Sequence, residues 1–116
     1  MFAGGSQIRR AARALTLSNK PLAQRVLAAV REWRAALAHR DQWNDEFRGK
    51  AECIQRKLAD HRIAPATIQH VDDVILEEIA TDLLAFHDDM SAWEQRRPRV
   101  FFDWTALGPD AAGRLA

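Results

Sequence analysis

The sequence predicts an all-α protein, built as an antiparallel helical hairpin or small helical bundle. Its 116 residues include 21 alanines, five glycines and no tyrosine, which favours helices because alanine is the best helix former and aromatic residues favour strands. Prolines at positions 21, 65, 98 and 109 divide the chain into long stretches without a strong breaker. Within these stretches apolar residues recur at steps of three and four. This length predicts a single domain covering residues 1–116.

The first predicted helix is short and spans residues 6–17. Ile8, Ala12 and Leu15 recur at steps of four and three, which is the spacing of one helix face. Ser6 can serve as the N-cap, because its hydroxyl can accept a hydrogen bond from an unpaired amide of the first turn. Residues 1–5 precede this helix and are expected to form a flexible N-terminus.

The second helical stretch covers residues 20–61 and is either one long helix or two shorter ones. It contains two apolar stripes whose mean directions differ by about 60° at 100° per residue. A left-handed supercoil with a 3.5-residue repeat produces such a lag in one long helix. Asn44, followed by Asp45 and Glu46, instead resembles a cap with acids in the first turn, and favours a break with a restart near 41–45. The stripes are Leu22, Val26, Val30, Trp33 and Leu37, then Trp43, Phe47, Ala51, Ile54 and Leu58.

The third predicted helix spans residues 66–95. Pro65 suits its first turn, and Arg96-Arg97-Pro98 is expected to end it because proline cannot continue a regular helix. A link of about four residues would make it the antiparallel neighbour of the preceding helix. Residues 98–116 lack a helical period and later hold two glycines and a proline, so we expect an irregular, extended tail. The apolar stripe is Ile68, Val71, Ile75, Ile79, Leu83, Phe86, Met90 and Trp93.

Charge is distributed unevenly along the chain, although the formal net charge is only +1. Residues 1–40 contain eight Lys or Arg and a single acid, Glu32. Residues 71–95 contain eight acids and no Lys or Arg. Such asymmetry indicates internal neutralisation, a head-to-tail partner of opposite charge, or separate surfaces for acidic and basic ligands.

The two charged segments are candidate binding surfaces. The basic segment is a candidate for a nucleic-acid backbone or an acidic partner, because the arginine fork matches phosphate oxygens. The acidic segment is a candidate for a basic partner, or for mimicry of a phosphate backbone. For each, the alternative is a solvated face partly paired with a neighbouring helix. The basic candidates are Arg9, Arg10, Arg13, Lys20, Arg25, Arg31 and Arg34, and the acidic ones are Asp72, Asp73, Glu77, Glu78, Asp82, Asp88 and Asp89.

Five apolar residues are candidates for docking a partner or a second copy of the chain. Val74 and Leu84 face away from the main stripe of their helix and are expected to contact either the first helix or a second protomer. Phe101, Phe102 and Trp104 lie in the predicted tail, where they either fold back onto the bundle or dock onto a partner. The other three tryptophans, Trp33, Trp43 and Trp93, occupy predicted core faces.

Motifs for catalysis are missing from the sequence. It contains no glycine-rich phosphate loop, no G-x-S-x-G and no H-E-x-x-H. The lone Cys53 excludes an intrachain disulfide and a thiol zinc cluster, and favours a reducing, cytoplasmic compartment. No apolar run approaches the roughly 18 residues of a membrane span. We therefore expect no metal, no cofactor, no enzymatic activity and no membrane insertion.

The sequence predicts a non-enzymatic helical protein–protein interaction module, which self-associates as a homo-oligomer or docks onto a larger assembly. The alternative is a small accessory subunit that binds a nucleic-acid backbone through residues 1–40. An inhibitor that presents residues 71–95 as a phosphate mimic is a further variant.

Overall fold

A computed structural model describes the backbone of residues 1–106 and the side chains of residues 1–96. Over this range the chain forms four α-helices and two short 3₁₀-helices, with no strand. Helix α1 spans Gly5–Thr16, α2 spans Leu22–Ala36, α3 spans Asp45–Asp60 and α4 spans Asp73–Ala106. The 3₁₀-helices are Leu37–Gln42 and Ile68–His70. The predicted all-α class is confirmed, and the architecture is a small bundle.

Helices α1 and α2 form an antiparallel pair. Near the start of α1, Arg10 pairs with Glu32 of α2 at 3.6 Å. At the other end, the Arg25 guanidinium donates to the main-chain carbonyl of Leu15 at 3.0 Å. Because these bonds join late residues of one helix to early residues of the other, the two helices run in opposite directions.

Helices α3 and α4 also run antiparallel, and α4 packs against all three other helices. Lys50 and Asp89 are 2.7 Å apart, and Lys57 and Asp82 are 2.7 Å apart. The indole of Trp33 in α2 donates to Gln55 of α3 at 3.0 Å. The start of α1 lies beside the later part of α4, where Arg9 pairs with Glu94 at 3.0 Å.

Residues 20–61 form two helices, which decides between the two predicted alternatives. The 3₁₀-helix Leu37–Gln42 follows α2, and Trp43 is then extended, with φ −85° and ψ 154°. The side-chain oxygen of Asn44 accepts a hydrogen bond from the Phe47 amide at 2.9 Å. This N-cap starts α3, with Asp45 and Glu46 in its first turn. The predicted restart at this asparagine is confirmed.

The start predicted for the third helix, at residue 66, is wrong. Helix α4 begins at Asp73, and the link is not four residues but the whole segment 61–72. The Thr67 hydroxyl bonds the main-chain carbonyls of Arg62 and Ala64. Such local bonds from a side chain to the main chain compete with helix formation, and Val71 is extended.

The end predicted for this helix is also wrong. Helix α4 continues through Pro98 to Ala106, so residues 98–106 are helical instead of extended. An internal proline removes one main-chain hydrogen bond and strains the preceding turn, but residues 99–106 contain neither glycine nor a second proline to stop the helix. The rest of the predicted tail, 107–116, lies outside the described residues.

The expectation of a loose N-terminus is wrong as well. Phe2 is buried, with 4% of its surface exposed, and its amide donates to the Glu94 carboxylate at 2.8 Å. Helix α1 begins at Gly5 after a left-handed Gly4 with φ 77°, so Ser6 lies inside the helix and is not its N-cap. Burial of the Phe2 ring provides the physical reason, because it holds the segment before α1 against the bundle.

The core lies between the four helices and contains no charged or polar side chain among the described residues. Trp33 and Trp43 are buried, and Trp93 packs against the core while half-buried. Ala11 instead of Ala12 lies on the buried face of α1. Leu76, absent from the predicted stripe of α4, is 1% exposed. No helix in the described part of the chain is both long and apolar enough to cross a membrane.

Candidate interaction surfaces

Two of the predicted basic side chains neutralise acids inside the molecule. Arg9 of α1 pairs with Glu94 of α4 at 3.0 Å. Arg10 pairs with Glu32 at 3.6 Å. Both arginines are more than one-third exposed, so these pairs are screened by water and salt. They nonetheless place part of the basic segment against carboxylates of the same chain.

Arg25 and Arg34 bond to main-chain carbonyls. The Arg25 guanidinium donates to the carbonyl of Leu15 at 3.0 Å and to that of Lys20 at 2.9 Å. It thereby satisfies a carbonyl at the end of α1 that has no partner within its own helix. Arg34 donates to the carbonyl of Ile63 at 3.4 Å, a weaker contact. Both side chains therefore have structural partners.

The remaining three predicted basic residues, Arg13, Lys20 and Arg31, form no ion pair with a carboxylate of residues 1–96. Two of them flank Leu17, whose surface is 77% exposed. Arg13 lies one helical turn before Leu17, and Lys20 lies three residues after it. We call Arg13, Leu17 and Lys20 the basic patch. Leu17 is not among the predicted docking residues, although its position as the last apolar residue before a polar turn is a usable signal.

The middle of the acidic segment is neutralised by lysines of α3. Lys50 bonds Asp89 at 2.7 Å, and Lys57 bonds Asp82 at 2.7 Å and lies 3.6 Å from Glu78. The hydrogen bond to Asp89 raises the pKa of Lys50 above its ordinary value, against the opposing effect of burial. The bond to Asp82 likewise raises the pKa of Lys57. Internal neutralisation, one of the predicted alternatives, thus applies to this part of α4.

These ion pairs border an open groove of about 400 Å³ between α3 and α4. Ile54 and Phe86 line its apolar part, with the small side chains of Cys53 and Ala85 beside them. Cys53 is exposed as a free thiol. The groove carries both signs of charge in equal number, so its charge pattern does not select a cationic or an anionic ligand.

The N-terminal end of α4 keeps its negative charge. Asp72, Asp73 and Glu77 are exposed and lack an ion pair with any described base. Val74 stands among them with 71% of its surface exposed. We call Asp72, Asp73, Val74 and Glu77 the acidic patch. The last predicted acid, Asp88, lies 3.2 Å from the imidazole of its neighbour His87.

The predicted docking residues differ in how much of their side chains is exposed. Val74 is exposed, as the sequence analysis expected. Leu84 is half-buried and packs against the core, which favours contact within the bundle over contact with a partner. The side chains of Phe101, Phe102 and Trp104 lie outside the described residues, although their backbone belongs to α4.

The described part of the chain brings together no group of three or more His, Cys, Asp or Glu that could hold a metal ion. Three open cavities are lined mainly by ion-paired or exposed side chains, and a smaller one beside Phe2 is lined largely by core residues. The geometry therefore offers two exposed patches of opposite charge, each with an apolar side chain, as the best candidate for function.

Comparisons with known proteins give no relative: no family model matches the chain, and neither a curated protein nor a solved structure is detectably similar to it.

Proposed function

We propose that this chain is a non-enzymatic helical interaction module that binds a protein partner through the acidic patch. The observation that carries the proposal is the exposure of Val74, 71%, between carboxylates that form no ion pair with a base of residues 1–96. Full burial of a valine or similar side chain contributes roughly 1.5–3 kcal/mol, and a partner surface can supply that burial. The carboxylates favour a partner surface that is apolar at its centre and basic around it.

The ion pairs in the rest of α4 support the choice of its N-terminal end as the binding site. Further along the helix, Glu78, Asp82, Asp89 and Glu94 are paired with bases of α3 or α1. A docking partner at those positions would have to replace existing ion pairs, which reduces the gain from new ones. At the acidic patch, no ion pair to a base of the described side chains has to be broken.

Affinity capture tests this proposal. The full chain and its Val74→Glu variant are immobilised and exposed to a native cell extract, and captured proteins are identified. We expect at least one protein to bind the unmodified chain and to be lost with Val74→Glu. Ala92→Glu, at an exposed position of the same helix, is the matched control and should retain it. Equal capture by all three chains would contradict the proposal.

Binding of a nucleic-acid backbone is a second candidate, favoured by Arg13, Lys20 and Arg31, which pair with no carboxylate of the described side chains. Four of the seven predicted basic residues bond within the molecule, so fewer contacts to phosphate are available than the sequence suggests. If these three residues bind phosphate, affinity for duplex DNA falls with salt, and each replacement by glutamine lowers the salt slope by about one unit. Binding that is absent or insensitive to salt would contradict this candidate.

The inhibitor variant, with α4 as a phosphate mimic, has weaker support. A phosphate-like array needs an unbroken row of negative charge. The ion pairs to Lys50 and Lys57 interrupt such a row in the middle of α4. The acids that remain unpaired with described bases are clustered at the N-terminal end, which suits a small docking patch better than a long channel.

A further inference from the structure

We propose that the partner bound by the acidic patch is a second copy of this chain, which contributes its basic patch. This inference rests on the proposed function and names its partner. Leu17 of one copy would pack on Val74 of the other, with Arg13 and Lys20 facing Asp72, Asp73 and Glu77. The two patches form the two halves of one contact, because one supplies positive charge and the other supplies negative charge.

The apolar parts of the patches match each other. Among residues 1–96, only Met1, Leu17 and Val74 are large hydrophobic residues classed as exposed, at 99%, 77% and 71%. Met1 lies outside the helices, whereas Leu17 is the C-cap residue of α1 and Val74 is the second residue of α4. Contact between them removes both side chains from water at once.

The charged parts of the patches are complementary. The basic patch has no acid within the twelve residues on either side of Leu17, because the nearest acid in sequence is Glu32. The acidic patch has no Lys or Arg between Arg62 and Arg96. Neither patch forms an ion pair with the other in the monomer, as far as residues 1–96 show. Attraction between opposite charges thus favours contact of the basic patch of one copy with the acidic patch of the other. Repulsion between like charges disfavours contact between two identical patches.

The two patches lie on helices that pack directly against each other. The basic patch is at the C-terminal end of α1, and the acidic patch is at the start of α4. Two copies related by a two-fold axis would form the contact twice, which would close the assembly at a dimer.

Sedimentation velocity on the purified full chain tests the inference. As concentration rises from the micromolar to the millimolar range, we expect the mass to increase from 13.2 kDa to twice that value and no further. The contact is small and belongs to the weak class of interfaces. Its charged part is exposed, so molar salt should weaken dimerisation by about tenfold or more.

Charge-reversal variants distinguish the reciprocal contact from non-specific association. Arg13→Glu and Glu77→Arg each place like charges opposite each other in both halves of the contact, and each variant alone should dimerise at least about tenfold more weakly. An equimolar mixture of the two variants restores opposite charges at this pair in both halves. The mixture should therefore dimerise about as well as the unmodified chain, as a heterodimer.

Arg56→Glu and Asp88→Arg serve as matched controls, since both are exposed charge reversals outside the patches. They should leave the dimer unchanged, and circular dichroism should show the same helix content in all variants. A strict monomer at millimolar concentration would overturn the inference, as would growth beyond two copies or failure of the mixture to recover. If the purified chain is monomeric while capture still depends on Val74, only the identity of the partner is wrong and the proposed function stands.

Discussion

At the scale of single residues, two glycines have opposite roles. Gly4 adopts φ 77°, a left-handed conformation that costs other residues about 1–2 kcal/mol. A Cβ atom there would lie 3.1 Å from the Ala36 carbonyl oxygen and 3.2 Å from the His39 ring. Gly49 lies in the middle of α3, and a Cβ atom there would meet nothing within 4 Å. One glycine is therefore required by its surroundings and the other is not.

Alanine substitutions test this contrast. We expect Gly4→Ala to lower the free energy of unfolding by about 1–2 kcal/mol, because the left-handed backbone and the close approach to α2 both oppose a side chain. Gly49→Ala should raise it by about 0.5–1 kcal/mol, since alanine loses less backbone entropy in a helix. Urea unfolding measures both changes. Effects of the same sign would contradict the geometry around Gly4.

Arg62 ends α3 in a conformation that usually belongs to glycine. Its φ is 52°, its amide donates to the Ala59 carbonyl at 3.1 Å, and the Ile63 amide donates to the Leu58 carbonyl at 3.0 Å. This is the Schellman pattern of a helix C-terminus, with Leu58 and Ile63 as its buried apolar pair. The native arginine therefore carries avoidable backbone strain.

Arg62→Gly should consequently stabilise the protein by roughly 0.5–1 kcal/mol, since relief of left-handed strain exceeds the entropy that glycine adds to the unfolded chain. Arg62→Ala removes the same charge but keeps the Cβ atom, so it should give no such gain. The midpoint of thermal unfolding compares the two variants. Equal midpoints would show that strain at this position is negligible.

At the scale of helices, α3 is held against α4 by two lysine–aspartate pairs one heptad apart. The raised pKa of Lys57 and that of Lys50 mean that the folded state holds these protons more tightly than the unfolded state does. Their contribution to stability is therefore complete below the ordinary lysine pKa of 10.5. It is lost as the pH rises through the higher pKa of the folded state.

Removing one lysine should reduce this pH dependence. Lys57→Met keeps the aliphatic stem and removes the charge, so we expect a loss of less than about 1 kcal/mol near neutral pH, because the pair is partly exposed. The variant should also lose less stability than the unmodified chain when the pH is raised past 10.5. Arg56→Met on the same helix is the matched control, and urea unfolding as a function of pH is the measurement. Identical pH profiles for Lys57→Met and the unmodified chain would contradict a contribution from this pair.

At the scale of the whole molecule, Phe2 joins the N-terminus to two distant parts of the chain. Its ring centroid lies 5.2 Å from Trp43, 4.9 Å from Phe47 and 5.5 Å from Trp93. The Trp43 indole in turn donates to the Ala3 carbonyl at 2.8 Å. The first residues thus close the bundle between the start of α3 and the later part of α4.

Phe2→Ala should accordingly cost about 3–5 kcal/mol in the free energy of unfolding, as large-to-small changes at buried aromatic positions do. Leu17→Ala, at a highly exposed position, should remain within about 0.5 kcal/mol of the unmodified chain in the monomer. Urea unfolding at low protein concentration provides the comparison. A loss near zero at Phe2 would restore the expectation of a loose N-terminus.

Local patterns along the chain were enough to predict the helical class, the break at Asn44 as one of two alternatives, and most of the buried faces. Those features depend on local geometry, because a helix places residues three and four apart on one side whatever its neighbours are. The packing of the helices was needed to see which described charges stay unpaired and that the N-terminal segment is held against the bundle. Arg9 meets Glu94 across 85 positions, and Leu84 is covered by the core, since both depend on how separate helices pack. The basic patch around Leu17 was likewise visible only in the folded chain, because the exposure of a side chain depends on how the helices pack.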